Sequence, residues 1–186
     1  MRVVAHDGTA TLYEYDEVNR LVREKVLDKN GAPVVEYSYT LGAADERLKV
    51  VETGRTVEYE YDELYRLVKE TVTDHSGTTV TEYTYDRNSN RLTKTVDGEV
   101  TEYAYNELNQ LVSETGITYE YDLNGNLVEK TEENQTTTYT YNAQNRLIRV
   151  TVQSGQQVNV EEYRYDYAGN CIAKIGELGT FSWHCE

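Results

Sequence analysis

Proline is almost missing from this chain: Pro33 is the only one in 186 residues. A proline cannot donate to a β-ladder, so its rarity fits a backbone whose N–H groups are nearly all committed to strand pairing. Long apolar runs are missing too. Nothing approaches the roughly 18 apolar residues of a helical membrane span, and the opening MRVVAHDGTA lacks the apolar stretch of a signal peptide. Membrane insertion is not expected, and an export signal is expected to lie outside this sequence. Positive charge is scarce, with 18 Lys and Arg against 33 Asp and Glu, a net charge of −15. That balance argues against nucleic acid or an anionic membrane surface as partner, because phosphate contacts need clustered cations.

Cysteine is limited to Cys171 and Cys185, too few for a disulfide framework and without C-x-x-C spacing. Two readings stay open: unremarkable thiols, or a single staple near the C-terminus. Chemistry-bearing motifs are equally thin. There is no glycine-rich phosphate loop, H-E-x-x-H or G-x-S-x-G. Of the three histidines, His6 and His75 flank turn signals and His184 adjoins Cys185, a set without metal-site spacing. No catalytic residue, cofactor or metal is expected.

Tyrosine, by contrast, is abundant, with 18 residues, which argues for order despite a mean hydropathy of −0.72. The tyrosines belong to a repeated phrase: YEYDEVNRL (13–21), YEYDELYRL (59–67), YTYDRNSNRL (83–92), YAYNELNQL (103–111), YEYDLNGNL (119–127), YTYNAQNRL (139–147) and YRYDYAGNC (163–171). YSYTLGAADERL (37–48) is a stretched copy. First tyrosines fall at 13, 37, 59, 83, 103, 119, 139 and 163, so every spacing is even. In a strand, even changes in length keep a side chain on its face.

Each repeat holds two extended runs, such as TVEYEYD (56–62) and RLVKETVT (66–73), rich in Thr, Val and Tyr with charged residues alternating. The fourth position after the second tyrosine is Asn19, Asn109, Gly125, Asn145 or Gly169 in five copies. Asn and Gly accept positive φ, so this position predicts a left-handed residue closing a hairpin. Tyr65 breaks that pattern and is expected to be strained or to sit in a different turn. A second set of punctuation, including KNGA (29–32), ETGR (52–55) and VDGE (97–100), marks the return turns. The aspartates that follow the tyrosine pairs, Asp16, Asp62, Asp86, Asp122 and Asp166, are read as turn residues bonding backbone N–H groups rather than as catalytic carboxylates.

The expectation is an all-β, repetitive antiparallel β-hairpin array across 1–186, with partial repeats at both ends. The paired tyrosines (Tyr13 and Tyr15, Tyr37 and Tyr39, Tyr59 and Tyr61, Tyr83 and Tyr85, Tyr103 and Tyr105, Tyr119 and Tyr121, Tyr139 and Tyr141, Tyr163 and Tyr165) share one face and align into ladders. Core packing of these rings is favoured over open presentation, since exposed aligned aromatics are costly in a soluble chain. Residues 172–186 end in GTFSWHCE, which sets Phe181 and Trp183 where a tyrosine pair should stand: either a cap or a drifted repeat.

The Tyr-Asp phrase with its Asn/Gly-Arg-Leu turn resembles the YD repeat (Rhs repeat) of Rhs and wall-associated bacterial proteins, toxin-complex shell components and teneurins. The resemblance implies a hairpin array that coils into a spiral sheet, serves as non-enzymatic scaffold, and in large members forms a hollow shell around a toxin or another polypeptide. It implies an extracellular or cell-surface setting, and partners that are other YD-repeat segments or copies of this chain, an enclosed polypeptide, or a glycan. No self-cleavage region and no toxin sequence matches this chain. Two further functions stay open: a head-to-tail filament subunit, and a carbohydrate-binding adhesin using the tyrosine ladders.

Overall fold

The computed structural model describes residues 1–176 and 181–182, the last two by backbone alone. Among the described residues there are eighteen strands and no helix. Trp183, His184 and Cys185 lie outside the described residues, and with them the cysteine pairing and most of the atypical terminal repeat.

The chain divides into two compact units, Met1–Thr101 and Glu102–Glu186. The first is an antiparallel meander of β1 (Arg2–Val4), β2 (Ala10–Tyr15), β3 (Leu21–Leu27), β4 (Pro33–Leu41), β5 (Arg47–Glu52), β6 (Arg55–Tyr61), β7 (Leu67–Asp74), β8 (Gly77–Tyr85) and β9 (Arg91–Val96), each paired with the next. The second takes up the end of β10 (Glu99–Tyr105) and continues through β11 (Leu111–Glu114), β12 (Ile117–Tyr121), β13 (Leu127–Glu132), β14 (Gln135–Tyr141), β15 (Leu147–Ser154), β16 (Gln157–Tyr165), β17 (Cys171–Ile175) and β18 (Phe181–Ser182). Neighbours in sequence are neighbours in space.

Two turn types alternate. After each tyrosine strand except β4 the chain makes a tight turn closed by two backbone bonds: Asp62 N–H donates to Arg66 O at 3.0 Å, and Tyr65 N–H donates to Asp62 O at 3.0 Å. This is a three-residue hairpin, a type I turn followed by a left-handed residue, which forces a bulge. The register shifts accordingly between Glu60 and Tyr61, and again between Glu120 and Tyr121. The return turns include two-residue loops such as Asp97-Gly98, where both φ are positive (49° and 93°) as a type I′ turn requires.

The pleat sorts side chains as the even spacings demand. On one face Tyr59 stands opposite Glu70 and Val57 opposite Val72, while Glu60 stands opposite Lys69 on the other. That second face carries cross-strand ion pairs: Lys25 with Glu36 at 3.2 Å, Lys49 with Glu58 at 2.8 Å, Lys69 with Glu60 at 3.3 Å and Arg149 with Glu162 at 2.5 Å. Such exposed pairs contribute little stability each; placed directly across strands they favour this register over its neighbours.

The tyrosine face is not an enclosed core, which corrects the expectation of buried rings. Among the described residues the buried apolar side chains are Ala10 and Val57, the buried polar ones Thr81 and Thr137, and no large side chain is fully buried. The paired tyrosines are half-buried, except Tyr15, which is 45% exposed. The reason is architectural: within each unit the strands form a single layer, so a ring is covered by its row neighbours and by arginine stems rather than by a second layer.

The stretched copy is also registered differently from its sequence alignment. Leu41 pairs with Arg47 as Tyr61 pairs with Leu67, and Tyr39 pairs with Val50 as Tyr59 pairs with Glu70. Tyr39 and Leu41 therefore occupy the two tyrosine positions of this repeat, and Tyr37 takes the place held by Val57 in the next. Tyr37 and Tyr39 still share a face, with parallel rings 6.4 Å apart at 6°.

Candidate functional site

The repeated hairpin turn and the tyrosine face beside it are the only features built the same way throughout the described residues. In each turn except that of Gly42, where Glu46 accepts the Ala44 N–H instead, the first residue organises the loop. Asp62 Oδ1 accepts the N–H groups of Leu64 and Arg66, both at 2.9 Å, and Asp16 Oδ1 accepts those of Val18 and Arg20. Asn106 and Asn142 do the same through their amide oxygens. A carboxylate fixed by N–H donors is held in its charged form. For Asp16 and Asp62 the N–H of Arg20 or Arg66 is the main cause of a lowered pKa, and for Asp86, Asp122 and Asp166 it is the side-chain amide of Asn90, Asn126 or Asn170.

The fourth residue of each turn is left-handed: Asn19, Asn109 and Asn145 at φ 66°, 59° and 57°, Gly125 and Gly169 at 85° and 93°. Asp45, Tyr65 and Ser89 adopt the same conformation at 67°, 58° and 68°. Tyr65 thus sits in the common turn, not in a different one, with its ring exposed to solvent. Asp45 was hidden in the sequence by Thr40 and Leu41, which stand between the tyrosine pair and the turn, and Ser89 is not a residue that announces positive φ.

The fifth position, Arg in several copies, ties five of the turns to the next repeat. Arg66 donates from Nε to Asp62 at 2.7 Å and from an Nη to the carbonyl oxygen of Asp86 at 2.8 Å, lying 4.8 Å above the Tyr85 ring. Arg20 bridges to Gly42 O at 2.7 Å and to Asp45 at 3.0 Å. In the second unit Arg146 reaches Asp166 O at 3.4 Å, Gln110 reaches Gly125 O at 3.4 Å, and Asn126 reaches Asn145 Oδ1 at 3.0 Å. The sequence showed the Arg; it gave no sign that its partner lies one repeat ahead.

Tyrosine hydroxyls tie the repeats in the opposite direction. Tyr61 Oη donates to Arg47 O at 2.9 Å, Tyr85 to Leu67 O at 2.7 Å, Tyr121 to Leu111 O at 2.9 Å and Tyr165 to Leu147 O at 2.7 Å. These satisfy strand-end carbonyls left open by the bulge. Burial raises the pKa of Tyr39, Tyr61, Tyr119, Tyr141 and Tyr163 above the ordinary phenol value.

Among the described residues no catalytic constellation accompanies this scaffold. His6 and His75 are exposed, Cys171 is at the start of β17, and no group of three His, Cys, Asp or Glu among the described residues could hold a metal ion. The repeated aspartates face their own backbones, each in a separate turn.

The comparisons with known proteins agree with this geometry. A family model described as Teneurin YD-shell matches residues 43–180. The chain belongs to that family. Among solved structures, this YD-shell chain resembles a chain of the Photorhabdus luminescens Tc holotoxin pore, with a TM-score of 0.65 and 19% identity over 95% of its length. It also resembles the TcdB2-TccC3-TEV and TcdB2-TccC3-Cdc42 crystal structures, with TM-scores of 0.51 and 0.50 and 19% identity over 92%. At that identity the likeness is one of fold. The YD-shell chain spans only 13% to 14% of those chains. A search of curated proteins by sequence found no match.

Proposed function

We propose that this chain is a non-enzymatic wall segment of a larger YD-shell, displayed or released outside the cell, whose strands meet other YD-repeat segments and help to enclose a polypeptide. The observation that supports this reading is the two-way stitching between successive turns. Arginine and amide side chains reach forward, tyrosine hydroxyls reach back, and the repeated polar groups are thereby spent on cohesion rather than left free for chemistry. Small-angle scattering from the purified protein tests it: a characteristic thickness of about 10 Å, that of one sheet layer, is expected. A thickness of two or more layers refutes the reading. Electron microscopy of the same sample adds a second arm, in which discrete particles agree with a wall segment and long filaments favour a self-assembling subunit.

A glycan-binding role is the second reading, favoured by one observation: the paired tyrosines present half-open rings on a single face. Titrating tyrosine fluorescence against a glycan panel distinguishes it. Saturable quenching supports it, and flat curves remove it.

A further inference from the structure

In six repeats the residue directly across from the first tyrosine of the pair is charged, and its sign varies. It is Lys94, Lys130 or Lys174 opposite Tyr83, Tyr119 or Tyr163, and Glu24, Glu70 or Glu114 opposite Tyr13, Tyr59 or Tyr103. The lysine repeats show what this place accepts. Lys174 holds its Nζ 5.8 Å from the Tyr163 ring centroid and 3.0 Å from Glu161 Oε2, and Lys130 Nζ lies 2.7 Å from Glu132 Oε1. An ammonium group is bound there by the negative face of a ring and by a carboxylate that accepts its N–H.

Glu24 has the ring and the carboxylate without the cation. Its strand, β3, runs between two tyrosine strands, so Glu24 stands directly opposite Tyr13 on one side and Tyr37 on the other. Directly opposed side chains are about 5 Å apart at Cβ, which sets a ring on each side of the carboxylate. Burial first, and then the Glu24 charge, raise the pKa of the Tyr39 phenol, so a third ring lies within reach of its field. Glu70 and Glu114 are placed differently, each with one tyrosine opposite: Glu70 stands between Tyr59 and Thr81, and Glu114 between Tyr103 and Ile117.

The cations nearby are engaged elsewhere. Arg23 and Lys25, next to Glu24 in sequence, point to the opposite face and pair with Glu14 and Glu36 there. Arg55 pairs with Glu52 at 2.8 Å, and Arg47 lies over Tyr39, 5.0 Å from its ring centroid. Glu24 itself is half-buried and makes no ion pair among the described residues. A partly desolvated carboxylate gains from a cation with N–H donors, and the single sheet layer leaves room for one to approach from outside. We infer that Tyr13, Glu24 and Tyr37 form a binding site for a primary alkylammonium group, the end of a lysine chain on another polypeptide or a free amine, in the arrangement that Lys174 completes from within at Tyr163. One carboxylate between two rings offers a metal ion too few ligands. The site rests neither on the shell reading nor on glycan binding.

The test uses the whole chain with isotope-labelled tyrosine rings, titrated with N-acetyl-lysine amide and with n-butylamine and followed by NMR. Saturable shifts of the Tyr13 and Tyr37 ring signals are expected with both, and the tighter probe identifies a polypeptide or a small amine as the source. Ring currents should also move the probe's methylene signal beside its nitrogen upfield, a readout that needs no variant. Glu24→Gln should weaken binding about tenfold, the effect of losing one hydrogen bond to a charged group. Glu70→Gln makes the same change in net charge and should leave the affinity as it is. N-acetyl-norleucine amide, which keeps the chain and lacks the charge, should not bind. The inference is overturned if the Tyr13 and Tyr37 signals do not respond, if the two glutamine variants lose affinity equally so that net charge alone accounts for binding, or if the norleucine probe binds as tightly as the lysine one.

Discussion

At the scale of single residues, the turn positions have separable roles. Tyr65 carries a steric penalty at φ 58° that five other turns avoid with Asn or Gly, and its exposed ring returns nothing to the fold. Tyr65→Asn should therefore stabilise the protein by about 1 kcal/mol, read as a raised midpoint in urea. Gly169 is the opposite case: φ is 93°, and an added Cβ would meet an Arg146 guanidinium nitrogen at 2.8 Å. Gly169→Ala should cost about 1–2 kcal/mol, combining backbone strain with the displaced bridge to Asp166. For the hydroxyl ties, Tyr85→Phe removes the donor to Leu67 O and should cost about 1 kcal/mol. Tyr141→Phe, whose hydroxyl makes no such bond, should stay within about 0.5 kcal/mol. Equal losses in the two variants would disprove the role given to the hydroxyl.

At the scale of the hairpin, much of the architecture was legible. The alternation of TVEYEYD and RLVKETVT marked both strands, and Asn or Gly after the tyrosine pair marked the left-handed turn residue, because both signals are local. What escaped was non-local. The Arg66 bridge to Asp86 and the Tyr85 bond to Leu67 depend on which repeat lies alongside, and no single repeat encodes that. Ring burial was overestimated for a similar reason: the sequence shows that tyrosines share a face, not whether anything covers that face. The stretched copy misled because alignment follows Tyr37 and Tyr39, whereas the hydrogen-bond ladder is set by the turn at Gly42 and Glu46, whose backbones pair at 2.8 Å.

At the scale of the whole molecule, two titrating families bound the stable range. The turn aspartates have folded pKa values below the unfolded value of 3.8. Their contribution is present above that pH and lost as pH falls through the lower folded values. Tyr39, Tyr61, Tyr119, Tyr141 and Tyr163 are shifted above 10.0. Their contribution is present below that pH and lost as pH rises through the folded values. Thermal midpoints should therefore be flat between about pH 5 and 9 and fall on both sides, with 295-nm absorbance showing part of the phenols ionising later than free tyrosine. A midpoint unchanged up to pH 11.5 would contradict the alkaline half.

The placing of the tyrosine pair in β4 has a wider meaning. Tyr37 and Tyr39 stand two residues farther from the bend than in other repeats, with Thr40 and Leu41 between, yet they keep their face and the bend is built as usual. Material can thus be added to or removed from such a chain in twos without rebuilding what surrounds it, so the width of the ribbon is adjustable one hairpin at a time. A lone inserted residue would turn every following side chain over and spoil the match with both adjoining segments.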